Sequence, residues 1–360
     1  MRNGKPIAID LFCGAGGLTL GLKKAGFDVA LGVELNPQIA ATYKANHRKT
    51  HLLIKDVREI TGREIFKLTG SRRIDLIAGC PPCQGFSQLT EKYKRCDSRN
   101  DLVLEMARLV EETKPTMVMM ENVPGITTKG RLVLRECVER LERVGYQTNM
   151  DVLQMADYGV PQSRRRFVLL AGRGFHVSMP KPTHSVKEGE NEGLKPWVPI
   201  SEVIRRMPKP VTLSTAIKNG GPEKFNWHVV RDLKPISLER LKAVREGEDR
   251  TVLPRRLRPK CHRKTDEGFK NVYGRMKWDE VSPTITSGCV TPCMGRFGHP
   301  KELRTISIRE AALIQTFPMT YRFKTKFMDT AHDSVGNALP YKFAYIASKT
   351  CFKHIRENRG

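Results

Sequence analysis

The sequence predicts an α/β fold built on a parallel sheet, and three observations carry that prediction. Short apolar runs such as Ile7-Ala8-Ile9-Asp10-Leu11-Phe12 and Arg73-Ile74-Asp75-Leu76-Ile77-Ala78 alternate little, as strands covered on both faces do. Stretches with helical spacing separate them. The strand-like runs also break on glycine, proline or a carboxylate, and in an open α/β sheet the carboxyl ends of the strands are where ligands collect.

Taken in order, the first run ends in Cys13-Gly14-Ala15-Gly16-Gly17 and passes into a helical segment, Leu18 to Ala25. Glycines there let the backbone approach a ligand while the helix N-terminus offers free N–H groups. The Gly-x-Gly-Gly pattern lacks the spacing of a dinucleotide-binding turn, so an adenosyl ligand without phosphates fits better. A second strand, Phe27 to Val33, ends on Glu34, about 20 residues after the turn, where a carboxylate suits two ribose hydroxyls. Asn36-Pro37 is a cap with proline at the first helical position, predicting a helix over Gln38 to Ala45. A third strand, His51 to Ile54, brings Asp56 to a position suited to an adenine amino group. A solvated loop carboxylate is the alternative for either acid taken alone.

The chain is organised around Gly79-Cys80-Pro81-Pro82-Cys83-Gln84-Gly85-Phe86-Ser87, just past a buried strand. Two prolines stiffen this turn and hold a thiol at a fixed angle. By themselves these residues also fit an ordinary loop, or a redox pair with C-x-x-C spacing, although no thioredoxin-like pattern surrounds them. Gln88 to Asn100 is polar, holds Lys92, Lys94, Arg95 and Arg99, and is expected to be mobile and able to close over a polyanionic substrate, with an ordinary solvated loop as the alternative. Asp101 to Thr113 has helical spacing, and Thr116 to Met120 is another buried strand, delivering Glu121-Asn122-Val123-Pro124-Gly125. A carboxylate at the end of an apolar strand is costly unless bonded or used, which makes Glu121 the foremost acid candidate.

Arg131 to Val144 reads as an amphipathic helix, Gln147 to Leu153 as a strand, Tyr158 to Pro161 as a turn and Phe167 to Ala171 as a strand. Within Gln162-Ser163-Arg164-Arg165-Arg166, extended backbone puts Arg164 and Arg166 on one face, suited to nucleotide carbonyl and phosphate oxygens. From Gly174 prolines interrupt the chain and bases cluster in Arg255-Arg256-Leu257-Arg258-Pro259-Lys260, the texture of a loop-rich module that tracks phosphates. Cys289 and Cys293, with Cys261-His262, lack a matching zinc half-site, and no metal is expected. Ser307-Ile308-Arg309-Glu310 is a capping box opening a helix. Val335 to Pro340 reads as a turn into a last helix, Lys342 to Ile355.

Composition narrows the function class. The 360 residues carry a formal charge of +25, which points to a polyanionic partner, with nucleic acid the commonest. Nine cysteines, irregularly spaced, fit free thiols in a reducing compartment. No apolar run approaches a membrane span and the N-terminus lacks the shape of a signal peptide, so a cytoplasmic protein is expected, with no membrane partner.

Together, Asp10 to Gly17, Gly79 to Ser87, Glu121-Asn122-Val123, Gln162 to Arg166, Arg304 to Pro318 and Val335 to Pro340, in this order, resemble the DNA (cytosine-5) methyltransferase family. The resemblance implies a Rossmann-like S-adenosylmethionine-dependent methyltransferase fold with a smaller, irregular target-recognition domain. It divides the chain into a catalytic and cofactor-binding part over 1–173, a target-recognition domain over 174–302 and a C-terminal segment over 303–360 that completes the first domain. By the same resemblance Cys83 attacks cytosine C6, Glu121 contacts N3 and the amino group, Arg164 holds the base carbonyl and Arg166 supports the loop and strand around it. Phe12, Gly14, Gly16, Glu34, Asp56, Leu102 and Asn337 match cofactor-contacting positions. Gln84, Ser87 and Thr284 match DNA-contacting ones, and Arg255, Arg256 and Arg258 supply the basic run. The implied partner is double-stranded DNA, bound by a monomer that is sequence-specific and restriction-modification-like, and the length favours a prokaryotic enzyme. A tRNA methyltransferase of the same fold and a non-catalytic DNA-binding relative are the rivals. Gln84-Gly85-Phe86-Ser87 speaks against the first, and Cys83, Glu121 and Arg164 together against the second.

Overall fold

The computed structural model describes residues 4–82, 101–186, 193–263 and 268–358. In chain order the elements are β1 (Ile7–Leu11), α1 (Gly17–Ala25), β2 (Asp28–Glu34), α2 (Pro37–Asn46), β3 (His51–Ile54), α3 (Gly62–Thr69), β4 (Leu76–Gly79), α4 (Leu102–Thr113), β5 (Met117–Asn122), α5 (Arg131–Arg143), β6 (Tyr146–Gln154) and β7 (Arg165–Arg173). There follow α6 (Ile200–Ile204), α7 (Leu213–Lys218), α8 (Pro235–Ala243), α9 (Ile308–Ile314), α10 (Met328–Gly336) and α11 (Tyr341–Glu357). Among the described residues no helix is long and apolar enough to cross a membrane.

Contacts divide the chain into two compact units. The first comprises Met1–Tyr158, Arg165–Thr183 and Leu339–Gly360, and the second Gly159–Arg164 with His184–Ala338. By this measure the returning segment starts at Leu339 and not at 303, because α9 and α10 group with the second unit.

The first unit holds a seven-stranded sheet in the order β3-β2-β1-β4-β5-β7-β6. The first five strands pair in parallel and β7 runs antiparallel between β5 and β6. Strand order reverses between β1 and β4, which opens a ligand crevice at their carboxyl ends. On one face Ile9, Leu11, Ile77, Val118, Met120 and Leu169 pack with Ile65, Met106, Val110, Leu134 and Leu141 of α3, α4 and α5 in a single core. Leu11, Ile77 and Leu169 are wholly buried, each contributing roughly 2 kcal/mol. On the other side α1 lies so close to α11 that a Cβ on Gly21 would stand 2.6 Å from the Ala344 backbone.

Local signals explain the termini. Asn36 accepts from Gln38 N and Ile39 N with Pro37 behind it, so α2 starts where the sequence says. Ser307 and Glu310 complete a reciprocal capping box on α9. Besides the short helices of the second unit, α3 and α10 form where the sequence predicts no helix. Thr61 caps α3, accepting from Glu64 N, and α10 runs through Val335 and Gly336, where a turn was expected. The second unit is otherwise short helices and two-residue strand pairs, in keeping with its prolines.

Candidate active site

The carboxyl edges of β1, β2, β4 and β5 gather most of the expected site residues of the first unit. After β1 the backbone turns left-handed at Phe12 (φ 58°), Gly14 (φ 53°) and Gly16 (φ 98°). Positive φ is natural for glycine but costs a bulky phenylalanine of order 1–3 kcal/mol, strain that accumulates at functional sites. Cys13 N donates to Val33 O at 2.8 Å and Gly16 N to Cys13 O at 2.9 Å, closing the turn onto β2. Helix α1 then begins with no side-chain cap, so its first amides face the turn as donors.

Glu34, ending β2, fastens this turn. Its carboxylate accepts from Gly14 N at 3.0 Å and from Asn36 N at 2.8 Å. Burial pushes its pKa up, opposed by those backbone hydrogen bonds. Asp56 instead turns to its own loop, taking the Arg58 guanidinium on both oxygens and capping Val57–Glu59. The Arg58 hydrogen bond, the largest influence, holds its carboxyl below the ordinary range. Leu102 opens α4 and is buried. Asn337, the remaining expected cofactor residue, lies in the second unit, exposed, with Oδ1 accepting from Ser287 Oγ at 3.1 Å.

The donor set suits an adenosyl group: left-handed glycines where a side chain would crowd the ligand, uncapped amides, and a carboxylate held at the strand end with lone pairs to spare.

Beyond β4 the prolines hold Cys80-Pro81-Pro82 against β5. Asn122 Nδ2 donates to Pro81 O at 3.2 Å. Glu121, 7% exposed, meets Arg166 Nε at 2.7 Å. Parallel pairing of Gly79 with Met120 brings the next residues, Cys80 and Glu121, side by side. Burial, followed by the charges of Glu121 and Asp10, drives the Cys80 pKa well above the ordinary thiol value. Asp10, wholly buried one strand further on, accepts from Thr19 Oγ1 at 2.6 Å, and burial pushes its pKa up to about 7. Cys83, Gln84 and Ser87 lie outside the described residues.

The arginine pair departs from expectation. Arg164 precedes β7 and belongs to the second unit, while Arg166 lies in β7 of the first, so no single strand carries both. Arg164 is 2% exposed and donates to Ile285 O at 2.7 Å and Gly336 O at 3.2 Å. The base-carbonyl role expected of it thus meets a guanidinium already serving backbone carbonyls. Around it Gln162 accepts from Ile285 N at 2.8 Å and donates to Gln315 Oε1 at 2.8 Å, and Gln315 donates to Val335 O at 2.7 Å. Thr284 donates its hydroxyl to Ser163 O at 2.8 Å. In the basic run Arg255 and Arg256 are exposed, whereas Arg258 folds back onto Leu253 O and Thr251 O.

The family model for C-5 cytosine-specific DNA methylase matches residues 7–353. The chain belongs to that family. Among curated relatives, the Type II methylase M.HgiDII of Herpetosiphon aurantiacus is 37% identical, covering 95% of this chain and 94% of its own. The Type II methyltransferase M1.HphI of Haemophilus parahaemolyticus is 32% identical over 96% and 86%. Among solved structures, a candidate DNA modification methyltransferase encoded within an E. coli prophage superimposes with TM-score 0.74 at 24% identity, covering 97% of this chain and 99% of that one. The Entamoeba histolytica methyltransferase EhMeth gives 0.65 at 18%, covering 98% and 99%. These superpositions carry the fold, and the protein is a DNA cytosine-5 methyltransferase by family.

Three further residues at these strand ends carry no role in the sequence analysis. Asn122 and Asp10 stand inside motifs that resemble the family's without a role of their own, and Cys80 is only the companion of Cys83. Their signal was position, each at the carboxyl end of a strand bordering the crevice.

Proposed function

We propose that the protein methylates C5 of a cytosine turned out of duplex DNA, using S-adenosylmethionine and a transient bond between Cys83 and cytosine C6. Cytosine C5 is a poor nucleophile and a thiolate is the side chain best able to activate the ring. Cys83 adds to C6, turning C5 into an enamine carbon able to take a methyl, and leaves again when the C5 proton is lost. Glu121 holds N3 and the exocyclic amino group, and Arg166 holds Glu121. The cofactor supplies an electrophilic methyl when bound. Phe12, Gly14, Gly16 and Glu34 would hold its adenosyl part, with Asp56, Leu102 and Asn337 as further contacts. The reacting carbons are hidden in a duplex, so the base must leave the stack.

The observation that carries this reading is the buried Glu121–Arg166 pair at the strand ends bordering the Pro81-Pro82 turn, in a chain of this family. Thr284, Gln84, Ser87, Arg255 and Arg256 are proposed for the DNA backbone, within a monomer acting on bacterial DNA, which the bacterial Type II methylases among its relatives favour. Transfer of labelled methyl to duplex DNA, with tRNA alongside, tests the reading. Bisulfite sequencing of DNA from an expressing host reports target base and sequence context together. Label in tRNA alone, or in neither, defeats it.

A further inference from the structure

The turn after β4 carries two cysteines, and Cys80 has a place of its own. Strand order puts β5 between β4 and β7, so Glu121 on β5 is flanked by Cys80 from one neighbour and Arg166 from the other. The registers agree. Gly79 pairs with Met120 in parallel, which sets Cys80 beside Glu121 on the same sheet face. Glu121 pairs with Val168 across the antiparallel ladder, which sets Arg166, two residues away, on that face as well. Arg166 Nε reaches Glu121 Oε1 at 2.7 Å, and the parallel register sets Cys80 beside the same residue from the other side.

We propose that Cys80 is a positioning residue for the methyl-transfer reaction, its thiol and the Arg166 guanidinium holding the Glu121 carboxylate from two sides in the orientation that receives the base. The inference rests on the reading of Glu121 as the group that holds the cytosine. Cys80 is unsuited to the nucleophile's part, because burial and the neighbouring carboxylates keep it a neutral thiol, and only a thiolate attacks. A carboxylate fixed by Arg166 alone keeps one oxygen anchored and can turn about that contact. A second donor from the neighbouring strand removes the freedom, and misplacement of a positioning group is costly to the reaction.

Single-turnover methylation of duplex DNA by the full chain tests this, with cofactor and DNA dissociation constants measured separately for wild type, Cys80→Ala and Cys80→Ser. Cys80→Ala should slow the methyl-transfer step by about tenfold, the value of one hydrogen bond to a charged group. Both dissociation constants should stay within about twofold, and Cys80→Ser, which keeps a donor, should recover most of the rate. An alanine variant as fast as wild type, or a serine variant as slow as alanine, overturns the proposal. Should Cys80→Ala fail to fold, Cys80→Val fills the space without a donor: serine faster than valine by about tenfold supports the proposal and equal rates overturn it. Absence of C5 methylation by the wild-type chain would defeat the underlying reading instead.

Discussion

Arg166 Nε lies 2.7 Å from Glu121 Oε1, and both side chains are largely buried. Removing one partner of such a pair leaves the other charge uncompensated in a place built for two. Arg166→Ala is therefore expected to lower the saturated methyl-transfer rate by about 100-fold or more, within the range of a lost acid–base or positioning group. Arg166→Lys should recover only part, since an ammonium lacks the planar fork. Single-turnover kinetics on duplex DNA check this, and an alanine variant within a few-fold of wild type would contradict it.

On the role proposed for Cys83, in which the thiol acts in chemistry and does not hold adenosine, Cys83→Ser should abolish methyl transfer and leave cofactor affinity within a few-fold. Duplexes carrying 5-fluorocytosine, incubated with cofactor, should trap wild type covalently and leave the serine variant free. Equal loss of cofactor binding and of transfer would count against the role assigned to this sulfur.

Glu34 accepts two backbone N–H groups while reaching the strand end, so it shapes the turn as well as offering lone pairs to a ligand. Glu34→Ala should raise the cofactor dissociation constant at least tenfold with a smaller effect on rate at saturation, in line with a lost charged hydrogen bond of about 1.5–3 kcal/mol. Titration calorimetry reads the change directly. An unchanged dissociation constant removes Glu34 from the binding site.

Arg255 and Arg256 are exposed, whereas Arg258 is engaged with its own loop. If the first two each meet a phosphate, the double alanine variant should flatten the dependence of log affinity on log salt by about 1.8, or about 0.9 per contact. Arg258→Ala should act on the loop's stability instead. A wild-type salt slope in the double variant would place the phosphate contacts elsewhere.

Asp10 provides a pH signature. Its folded pKa is pushed up to about 7 from an ordinary 3.8. Between those values the folded state keeps a proton that the unfolded chain has lost. Its contribution to stability therefore falls as pH rises from about 4 to about 7 and is flat beyond, by at most roughly 1.4 kcal/mol per pH unit. Asp10→Asn keeps an acceptor for Thr19 without the charge. Thermal unfolding of the two proteins at about pH 5 and about pH 8 should show the variant gaining on wild type at the higher pH. A constant difference would mean that Asp10 does not titrate there.

Local chemistry makes parts of both units readable. Asn36-Pro37 and Ser307 to Glu310 are caps whose partners lie within a turn, and buried parallel strands announce themselves by unbroken apolar runs. Apart from α3, whose Thr61 cap is local, the features that sequence does not reveal depend on distant partners. Helix α10 is built of Asp, Thr, Ser, His and Gly with little intrinsic preference for helix; its place comes from burial of Met328, Ala331, Ser334 and Val335. The shared face expected for Arg164 and Arg166 assumed one extended strand, but β7 begins at Arg165, after a segment that belongs to another unit. Arg258 looked like a phosphate contact because composition cannot reveal that the carbonyls of Leu253 and Thr251 are within its reach.

The reversed direction of β7 has a consequence for engineering. A strand running with its neighbours would offer its last residues to the crevice, but this one offers its first, so Arg166 is reached only one residue after the chain has left the Gly159–Arg164 stretch of the other unit. Grafts that exchange the 184–338 part of the second unit between relatives should accordingly cut near His184 and Ala338 and keep the host's own 159–166 peptide, because a junction there would shift the guanidinium that anchors Glu121.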